Sequence, residues 1–263
     1  MPSLVSVILP TNTVNNYLFE SIQSILDQTY TYFELVIVIN GENKNIIETT
    51  LTEKYSDSRI KLYKVNLNQL PFVLNYGVNV SNGEYIARMD SDDISSPERL
   101  EKQIAYLNSY PDIGFIGSDY ELIDENGISY DYINANVGSD NIKKRLCFGS
   151  QFAHPTVMIR KTVFFETKGY AFGFFAEDYE YWIRMMYEYN IKSDNIKLPL
   201  LKYRVHSEQA TNSKNNKRNI AYNISLAILC ALKYKKPRFL FSILLQSKKI
   251  RNMLIFLKKK IKK

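Results

Sequence analysis

The chain of 263 residues is 45% hydrophobic and 23% charged, which is enough apolar material for one large domain, or for one domain with an appendage. Its two cysteines, Cys147 and Cys230, lie far apart without metal-type spacing, which argues against a disulfide scaffold and favours a reducing compartment. No apolar stretch of about 18 residues occurs, and no basic segment precedes the first apolar run, so we expect neither a transmembrane helix nor a signal peptide.

The net charge of +7 is distributed unevenly along the chain. Residues 214–263 hold 15 of the 34 Lys and Arg residues and no Asp or Glu, whereas the residues before them carry 19 basic and 27 acidic side chains. A strongly basic C-terminal segment on an acidic body predicts a polyanionic partner, either a membrane surface or a nucleic acid.

In the first 110 residues, apolar strands alternate with helical patterns. LVSVILPT (4–11) and FELVIVIN (33–40) are continuous apolar runs, as expected of strands that are buried on both faces. Further strands are predicted at 59–66 and 83–90, and helices at 17–28, 46–55, 70–80 and 96–110, the last with Ser96 as its N-cap. This alternation predicts βαβ units and a mainly parallel, Rossmann-like sheet.

The pattern changes after residue 110. Sheet with turns is predicted at 112–124 and 127–133, a strand entering a helix at 154–164, a helix at 176–189 and a late strand at 196–206. This half is therefore expected to be α+β and to form the other wall of a cleft.

Three acids stand at the end of the fourth predicted strand, at Asp90, Asp92 and Asp93. Ligands of parallel α/β sheets bind beyond the carboxyl ends of the strands, and clustered carboxylates suit Mg²⁺ or Mn²⁺. The alternative is a solvated turn with an acidic cap before the next helix.

A set of segments in fixed order resembles a known family: SVILPTNTVNNYLFESIQSILDQTYTYFELVIV, NGEYIARMDSDDISSPERLEKQIAYL, FAHPTVMIR, AEDYEYWIRM and YRVH. They are similar to the family-two nucleotide-sugar glycosyltransferases of GT-A fold, nearest to the bacterial enzymes that build surface polysaccharides. The resemblance covers roughly residues 3 to 212 and implies a GT-A domain at 1–212, with a nucleotide-sugar-binding half (1–110) and an acceptor-side half (111–212). The basic segment at 213–263 is expected to be a separate helical tail.

The resemblance also implies roles for individual residues. The sequence Asp90-Ser91-Asp92 matches the DxD motif of the family, in which Asp92 would ligate Mn²⁺ or Mg²⁺ on the donor diphosphate and Asp90 would contact ribose or the metal shell. His206 stands where such enzymes place a metal ligand or a diphosphate contact, although a surface histidine at a strand end is equally compatible with the sequence. The expected donor side comprises Pro10, Thr11, Asn40, Asp90, Ser91, Asp92 and Arg204, the last as a phosphate partner.

The segment AEDYEYW matches the ED motif of the family, which implies that Asp178 is the general base. The alternative is that Glu177 and Asp178 only complement the dipole of their helix. The acceptor side is expected to comprise Glu177, His154 and Trp182. A structural role is favoured for His154, and the alternative for Trp182 is that it packs its helix against the sheet.

At the base-binding position the sequence departs from the family. Where the family has an acidic residue after the second strand, this chain has Asn40. The amide oxygen of an asparagine can accept from the N3–H of uracil, so a uridine donor stays compatible while the base is left open.

The basic tail combines charge with an apolar stripe, at Ile243, Ile250, Leu254, Leu257 and Ile261. This pattern is typical of a helix that lies on an anionic membrane, and it favours a membrane over nucleic acid. It agrees with the resemblance, which implies a polyprenyl-diphosphate-linked oligosaccharide acceptor and a cytoplasmic protein on the inner face of the cell membrane.

The prediction is an inverting, metal-dependent glycosyltransferase that uses a nucleotide-diphosphate sugar. Three alternatives remain: a Mg²⁺-dependent phosphatase, a nucleotidyltransferase of related fold and an inactive membrane-bound binding protein. The first usually carries its DxD after the first strand, and the second a Gly-rich loop there; neither is present in PTNT at residues 10–13.

Overall fold

The fold is described from a computed structural model, for residues 2–171, 176–207 and 216–245. The strands are β1 (Val5–Thr11), β2 (Phe33–Ile39), β3 (Ile60–Lys64), β4 (Tyr85–Arg88), β5 (Ile94–Ser95), β6 (Ile113–Ile123), β7 (Ser129–Ile133), β8 (Met158–Arg160) and β9 (Lys192–Arg204). The helices are α1 (Asn16–Leu26), α2 (Lys44–Lys54), α3 (Leu70–Val80), α4 (Arg99–Ser109), α5 (Ser139–Arg145), α6 (Lys161–Glu166), α7 (Glu177–Tyr187), α8 (Asn216–Lys233) and α9 (Phe241–Leu245).

The first half is the predicted parallel sheet. Strands β3, β2, β1 and β4 are neighbours in that order and run parallel, and every residue of β1 and β2 is buried. Helices α1 and α4 cover one face, and α3 and α7 cover the other, which is why both strands are apolar without alternation. The carboxyl ends of β1, β2 and β4 therefore meet at one edge of the sheet.

The second half extends the same sheet. Strand β8 runs antiparallel between β4 and β6, and β6 then pairs in parallel with β9. The two halves expected at 1–110 and 111–212 thus share one continuous sheet. Because β9 runs along β6 to Arg204, its end reaches the edge at which β4 ends.

The predicted N-cap of α4 at Ser96 is wrong by two residues. Residues Ile94 and Ser95 pair with β9 as the short strand β5, and the Ser96 N–H donates to the Leu200 carbonyl. The helix begins at Arg99, with Glu98 at its N-cap position. Pairing with the distant strand β9 therefore overrides the local preference of Ser96 for an N-cap position.

The first part of the predicted tail is folded onto the body. Helix α8 and the 3-10 turn Pro237–Leu240 pack against α7 and the 3-10 turn Leu146–Phe148. The buried cluster between them comprises Cys147, Ile183, Leu226, Cys230 and Phe239. The tail positions Ile250, Leu254, Leu257 and Ile261 lie outside the described residues, whereas Ile243 falls in α9. Among the described residues, no helix is both long and apolar enough to cross a membrane.

Candidate functional site

The three acids converge directly after β4. Carboxylate oxygens of Asp90, Asp92 and Asp93 lie within 4.8 Å of one another. Two hydrogen bonds hold the backbone at the start of this loop. The Met89 N–H donates to the Ile8 carbonyl (3.0 Å), and the Ser21 hydroxyl donates to the Asp90 carbonyl (2.8 Å). The loop is therefore anchored to β1 and α1 through its backbone, and its carboxylates remain available to other partners.

Arg88 is the first cation that compensates this cluster. Its guanidinium is buried and forms an ion pair with Asp90. Burial raises the pKa of Asp90, and the guanidinium opposes that rise. Sequence reasoning missed Arg88, although a single arginine inside the apolar run YIARM was a signal, because an unpaired charge is not left in a buried strand.

Arg204 is the second cation, and its contacts are structural. Its side chain is 1% exposed, and its Nε and Nη1 atoms donate to the carbonyls of Asp92 (2.8 Å) and Glu125 (3.1 Å), while Nη2 pairs with Glu20. The expected role as a phosphate partner is corrected: the donors are committed to the acidic loop and the β6–β7 turn, so Arg204 holds the loop in place. Sequence reasoning saw the charge but not its burial.

His206 lies beside Asp92. Its Nε2 atom is 2.9 Å from the Asp92 carboxylate, and its ring packs near Tyr17, with centroids 5.3 Å apart. Both side chains are partly accessible, with 12% and 26% exposed. A carboxylate oxygen and an imidazole nitrogen at this separation can bind one divalent cation in common.

Asp93 is the buried member of the cluster. Its Oδ1 atom accepts from the Arg204 N–H (2.8 Å), and its Oδ2 atom is buried without a hydrogen-bond partner among the described residues. Burial and the neighbouring carboxylates raise the pKa of Asp93 well above its usual range. A carboxylate oxygen that the protein leaves unpaired, in a set of hard oxygen ligands, fits a site for Mg²⁺ or Mn²⁺.

Asp178 stands in the first turn of α7, within electrostatic reach of Arg88. Ala176 precedes the helix in the left-handed conformation (φ 56°, ψ 32°), a strained state of the kind found at functional sites. Burial, and then the charge of Glu177, raise the pKa of Asp178 to about 7, while Arg88 lowers it. A carboxyl with this pKa is suited to proton transfer near neutral pH.

The buried guanidinium of Arg88 connects the acidic loop after β4 electrostatically with Asp178 of α7. Arg88 interacts electrostatically with Asp90 and with Asp178, and the charge of Glu177 acts on Asp90. Residues from the end of β4 and the start of α7, about 90 positions apart in sequence, thus share one electrostatic environment. The charge of Glu177 therefore acts on both Asp90 and Asp178.

Trp182 and His154 lie in the core rather than on an acceptor surface. Trp182 is fully buried and stacks on Phe115 (centroids 5.3 Å apart, planes at 18°). His154 is buried against Trp182, and its Nε2 atom is 2.8 Å from the Tyr170 hydroxyl. The acceptor-side expectation for both residues is corrected, because both are buried; the structural role favoured for His154 and the core packing considered for Trp182 agree with these contacts.

Asn75 of α3 is hydrogen-bonded to the backbone of Tyr170. The Asn75 amide donates to the Tyr170 carbonyl (2.8 Å) and accepts from its N–H (2.9 Å). This pair of hydrogen bonds ties the backbone at Tyr170 to α3, because an amide side chain can both donate to a carbonyl and accept from an N–H.

The wall formed by β1 and β2 carries the expected donor residues. Pro10 and Thr11 end β1, and the Thr11 hydroxyl donates to the Thr13 carbonyl (2.8 Å), which closes a turn. The Asn40 N–H donates to the Thr11 carbonyl (2.9 Å), and the buried Asn40 Oδ1 atom accepts no hydrogen bond from the described part of the chain. Ser91 is half-buried in the acidic loop. Asn40 therefore keeps an unused acceptor at the edge of the sheet.

Comparison with known proteins supports the resemblance. The sequence profile of glycosyl transferase family 2 matches residues 6–168. The O-antigen biosynthesis glycosyltransferase WbnJ of Escherichia coli is 41% identical over 215 residues, which cover 80% of this chain and 83% of that protein. The uncharacterized glycosyltransferase MJ1057 of Methanocaldococcus jannaschii is 35% identical over 206 residues, 77% of this chain and 71% of that protein.

Solved structures show the same fold at lower identity. TarS 1-349 of S. aureus, in complex with UDP-GlcNAc, superposes with a TM-score of 0.67 at 16% identity, covering 92% of this chain and 72% of that chain. The mannosyltransferase PcManGT from Pyrobaculum calidifontis, in complex with GDP-Man and Mn²⁺, gives a TM-score of 0.60 at 15% identity, covering 91% and 67%. With the family profile over more than half of its length, the chain belongs to glycosyl transferase family 2 and is a glycosyltransferase of GT-A fold.

Proposed function

We propose that the protein is an inverting, metal-dependent glycosyltransferase that moves a sugar from a nucleotide-diphosphate donor to a hydroxyl group of a lipid-linked oligosaccharide. The observation that carries the proposal is the shared environment of two acidic groups, Asp90 with Asp92 at the end of β4 and Asp178 at the start of α7, around the buried Arg88. Asp90 and Asp92 are suited to binding a metal ion on a diphosphate, and Asp178 is suited to accepting a proton.

The donor half rests on Asp90, Asp92 and His206, which would hold Mn²⁺ or Mg²⁺. When bound, the cation neutralises charge on the departing diphosphate. The solved structures with UDP-GlcNAc and with GDP-Man and Mn²⁺ support this class of donor. The Oδ1 atom of Asn40, which has no hydrogen-bond partner among the described residues, is compatible with a uracil base, because it can accept from the N3–H of uracil.

The acceptor half rests on Asp178. At a pKa of about 7 its carboxylate is a stronger base than an ordinary aspartate, yet about half of it is ionised at neutral pH. It takes the proton of the acceptor hydroxyl as that oxygen attacks the anomeric carbon, while the nucleotide leaves from the opposite face. One carboxylate suffices for a single displacement, so the product has inverted configuration.

The biological acceptor is proposed as a polyprenyl-diphosphate-linked oligosaccharide in the synthesis of a bacterial surface polysaccharide. The relative named for O-antigen biosynthesis supports this class, as does the basic C-terminal segment. The protein would then work at the inner face of the cell membrane, where an anionic surface attracts Lys and Arg.

A thermal-shift panel tests the donor half with UDP-, GDP-, CMP- and dTDP-sugars, each with Mn²⁺ and with EDTA. At about 100 times the dissociation constant, a ligand of the native state stabilises it by about 2.7 kcal/mol, which is a rise of several degrees. We expect this rise with one nucleotide, only with metal, and lost in Asp92→Asn. The matched control is Asp140→Asn at the exposed start of α5.

Two outcomes would contradict the proposal. An equal rise in EDTA, or in the Asp92→Asn variant, would remove the metal site from this cluster. If the transferred sugar kept the configuration of the donor, as read from the anomeric coupling in the NMR spectrum of the product, the single displacement would be wrong.

A further inference from the structure

Helix α8 has an apolar stripe on its exposed side. Ile228, Leu229 and Leu232 are 42%, 62% and 73% exposed, at the spacing of one helix face. The opposite side of the same helix is used for packing, with Leu226 and Cys230 in the buried cluster against α7. Burial of one face onto the body therefore leaves a second apolar face without a partner in the described chain.

A neighbouring segment continues this surface. Helix α9 packs against the 3-10 turn Pro237–Leu240, which packs in turn against α8, and α9 also contacts the 3-10 turn Leu146–Phe148. These segments add further exposed apolar side chains. We call the whole set the C-terminal face: Phe148, Ile228, Leu229, Leu232, Leu240, Phe241 and Leu244. Isolated exposed apolar residues are ordinary, whereas a group of them on packed neighbours marks an interaction surface.

The C-terminal segment supplies positive charge around this face, and one of its lysines, Lys233, is paired with Glu188 beyond the end of α7. Residues 214–263 contain no Asp or Glu, and Lys235 and Lys236 are exposed between α8 and α9. Lys143 of α5 lies near enough to Arg238 and Lys236 that they help to lower its pKa, after burial as the main cause. A second copy of this face would bring cations against cations, whereas an anionic bilayer supplies the opposite charge together with an apolar interior.

The C-terminal face is joined to the acceptor side of the site. Tyr179 follows Asp178 in α7, and its hydroxyl donates to the carbonyl of Leu146, where the turn that carries Phe148 begins. Four residues further along α7, Ile183 packs with Cys147, which lies in the 3-10 turn Leu146–Phe148. The helix that carries the candidate base is thus fastened directly to the segment that carries the face.

We propose that the C-terminal face docks on an anionic bilayer and holds the Asp178 side of the site at the membrane surface. Docking itself depends only on the C-terminal face. A consequence that rests on the proposed function is that a lipid-linked acceptor reaches Asp178 without leaving the bilayer. The α8 stripe and α9 would enter the interfacial layer, with Lys235 and Lys236 among the headgroups.

Vesicle co-sedimentation of the full chain tests the proposal, in phosphatidylcholine vesicles with and without about 30% phosphatidylglycerol. We expect binding to the anionic vesicles, weakened about tenfold or more in Leu229→Glu and in Phe241→Glu, because each change removes a buried apolar group and adds an anion. The matched control is Ile46→Glu on α2, at 61% exposed against 62% for Leu229, and it should bind as the wild type does. Melting temperatures of the variants confirm that each is folded.

Several results would overturn the proposal. Unchanged vesicle binding in both folded variants would mean that this face does not dock, and equal binding to neutral vesicles would remove the role of its charge. Self-association in sedimentation velocity, abolished by Leu229→Glu, would identify a second copy as the occupant. Because the assay contains neither donor nor acceptor, vesicle binding persists even if the proposed reaction is wrong, and nucleotide binding persists even if docking is wrong.

Discussion

The candidate base gives the sharpest prediction, through the substitution Asp178→Asn. The change keeps the shape of the side chain and removes its charge. Asp178 has a pKa of about 7 in the folded chain, against an ordinary value of 3.8, because it is desolvated and lies beside Glu177. Between these two values the folded chain holds a proton that the unfolded chain has released, so the stability of the wild type falls as the pH rises through this window.

The shift of about 3 pKa units corresponds to about 4 kcal/mol of destabilisation above pH 7, at about 1.4 kcal/mol per unit. Roughly 1.5 kcal/mol of this is already present at pH 5, which leaves about 3 kcal/mol to appear between pH 5 and pH 8. Asp178 is half-buried, so water screens part of the effect and about 2 to 3 kcal/mol is expected. Asparagine has no charge in either state and avoids this loss.

Urea unfolding at pH 5 and pH 8 without metal measures this difference. We expect the stability advantage of Asp178→Asn over the wild type to grow by about 2 to 3 kcal/mol from pH 5 to pH 8. Asp140→Asn, at an exposed helix start, should show no such growth. Transfer should be lost in Asp178→Asn at both pH values, and wild-type kcat/KM should fall about fivefold between pH 7 and pH 6.

The reasoning would be refuted if the advantage of Asp178→Asn were the same at both pH values, or if the variant were the less stable one at pH 8. Either result would show that the carboxylate is not desolvated, and its tuned pKa would no longer support a role as the base. A variant that retained transfer would remove Asp178 from the reaction altogether.

Two further predictions concern the corrected residues. Arg204→Met should lower the free energy of unfolding by about 3 to 5 kcal/mol, because it leaves the acidic loop and Glu20 without their buried partner; a change below about 1 kcal/mol in denaturant unfolding would show that the loop does not depend on Arg204. Trp182→Phe should cost about 1 to 3 kcal/mol through the cavity it leaves beside Phe115, while the KM for the acceptor stays within about twofold; a larger rise in KM at unchanged stability would restore Trp182 to the acceptor surface.

The parallel half of the fold was predictable because its signals are local. Both β1 and β2 are continuous apolar runs, and only a strand covered on two faces requires that pattern. The start of α4 was not predictable in the same way, since Ser96 is a good cap in isolation and is displaced by the pairing of Ile94 and Ser95 with β9, about 107 residues away.

In the candidate site, too, the residues that depend on local sequence were predictable and those that depend on tertiary contacts were not. Asp90 and Asp92 could be placed at a strand end, and Asp178 at a helix start, from the residues beside each of them. The part played by Arg88 could not, because it depends on β8 lying between β4 and β6 and on α7 packing over that sheet. Arg204 and Trp182 were misplaced because residue type alone does not distinguish a buried arginine or tryptophan from one that meets a ligand.

By itself, the sequence determined the order of strands and helices, the chemistry at the end of β4 and the basic character of the C-terminal segment, since each depends on neighbours within one element. Only the tertiary structure decided which charges face one another, which aromatic rings are buried, and that α8 covers the helix of the candidate base while leaving an apolar face outside. Those properties arise from contacts between distant segments, and their energies depend on burial, which no local pattern contains.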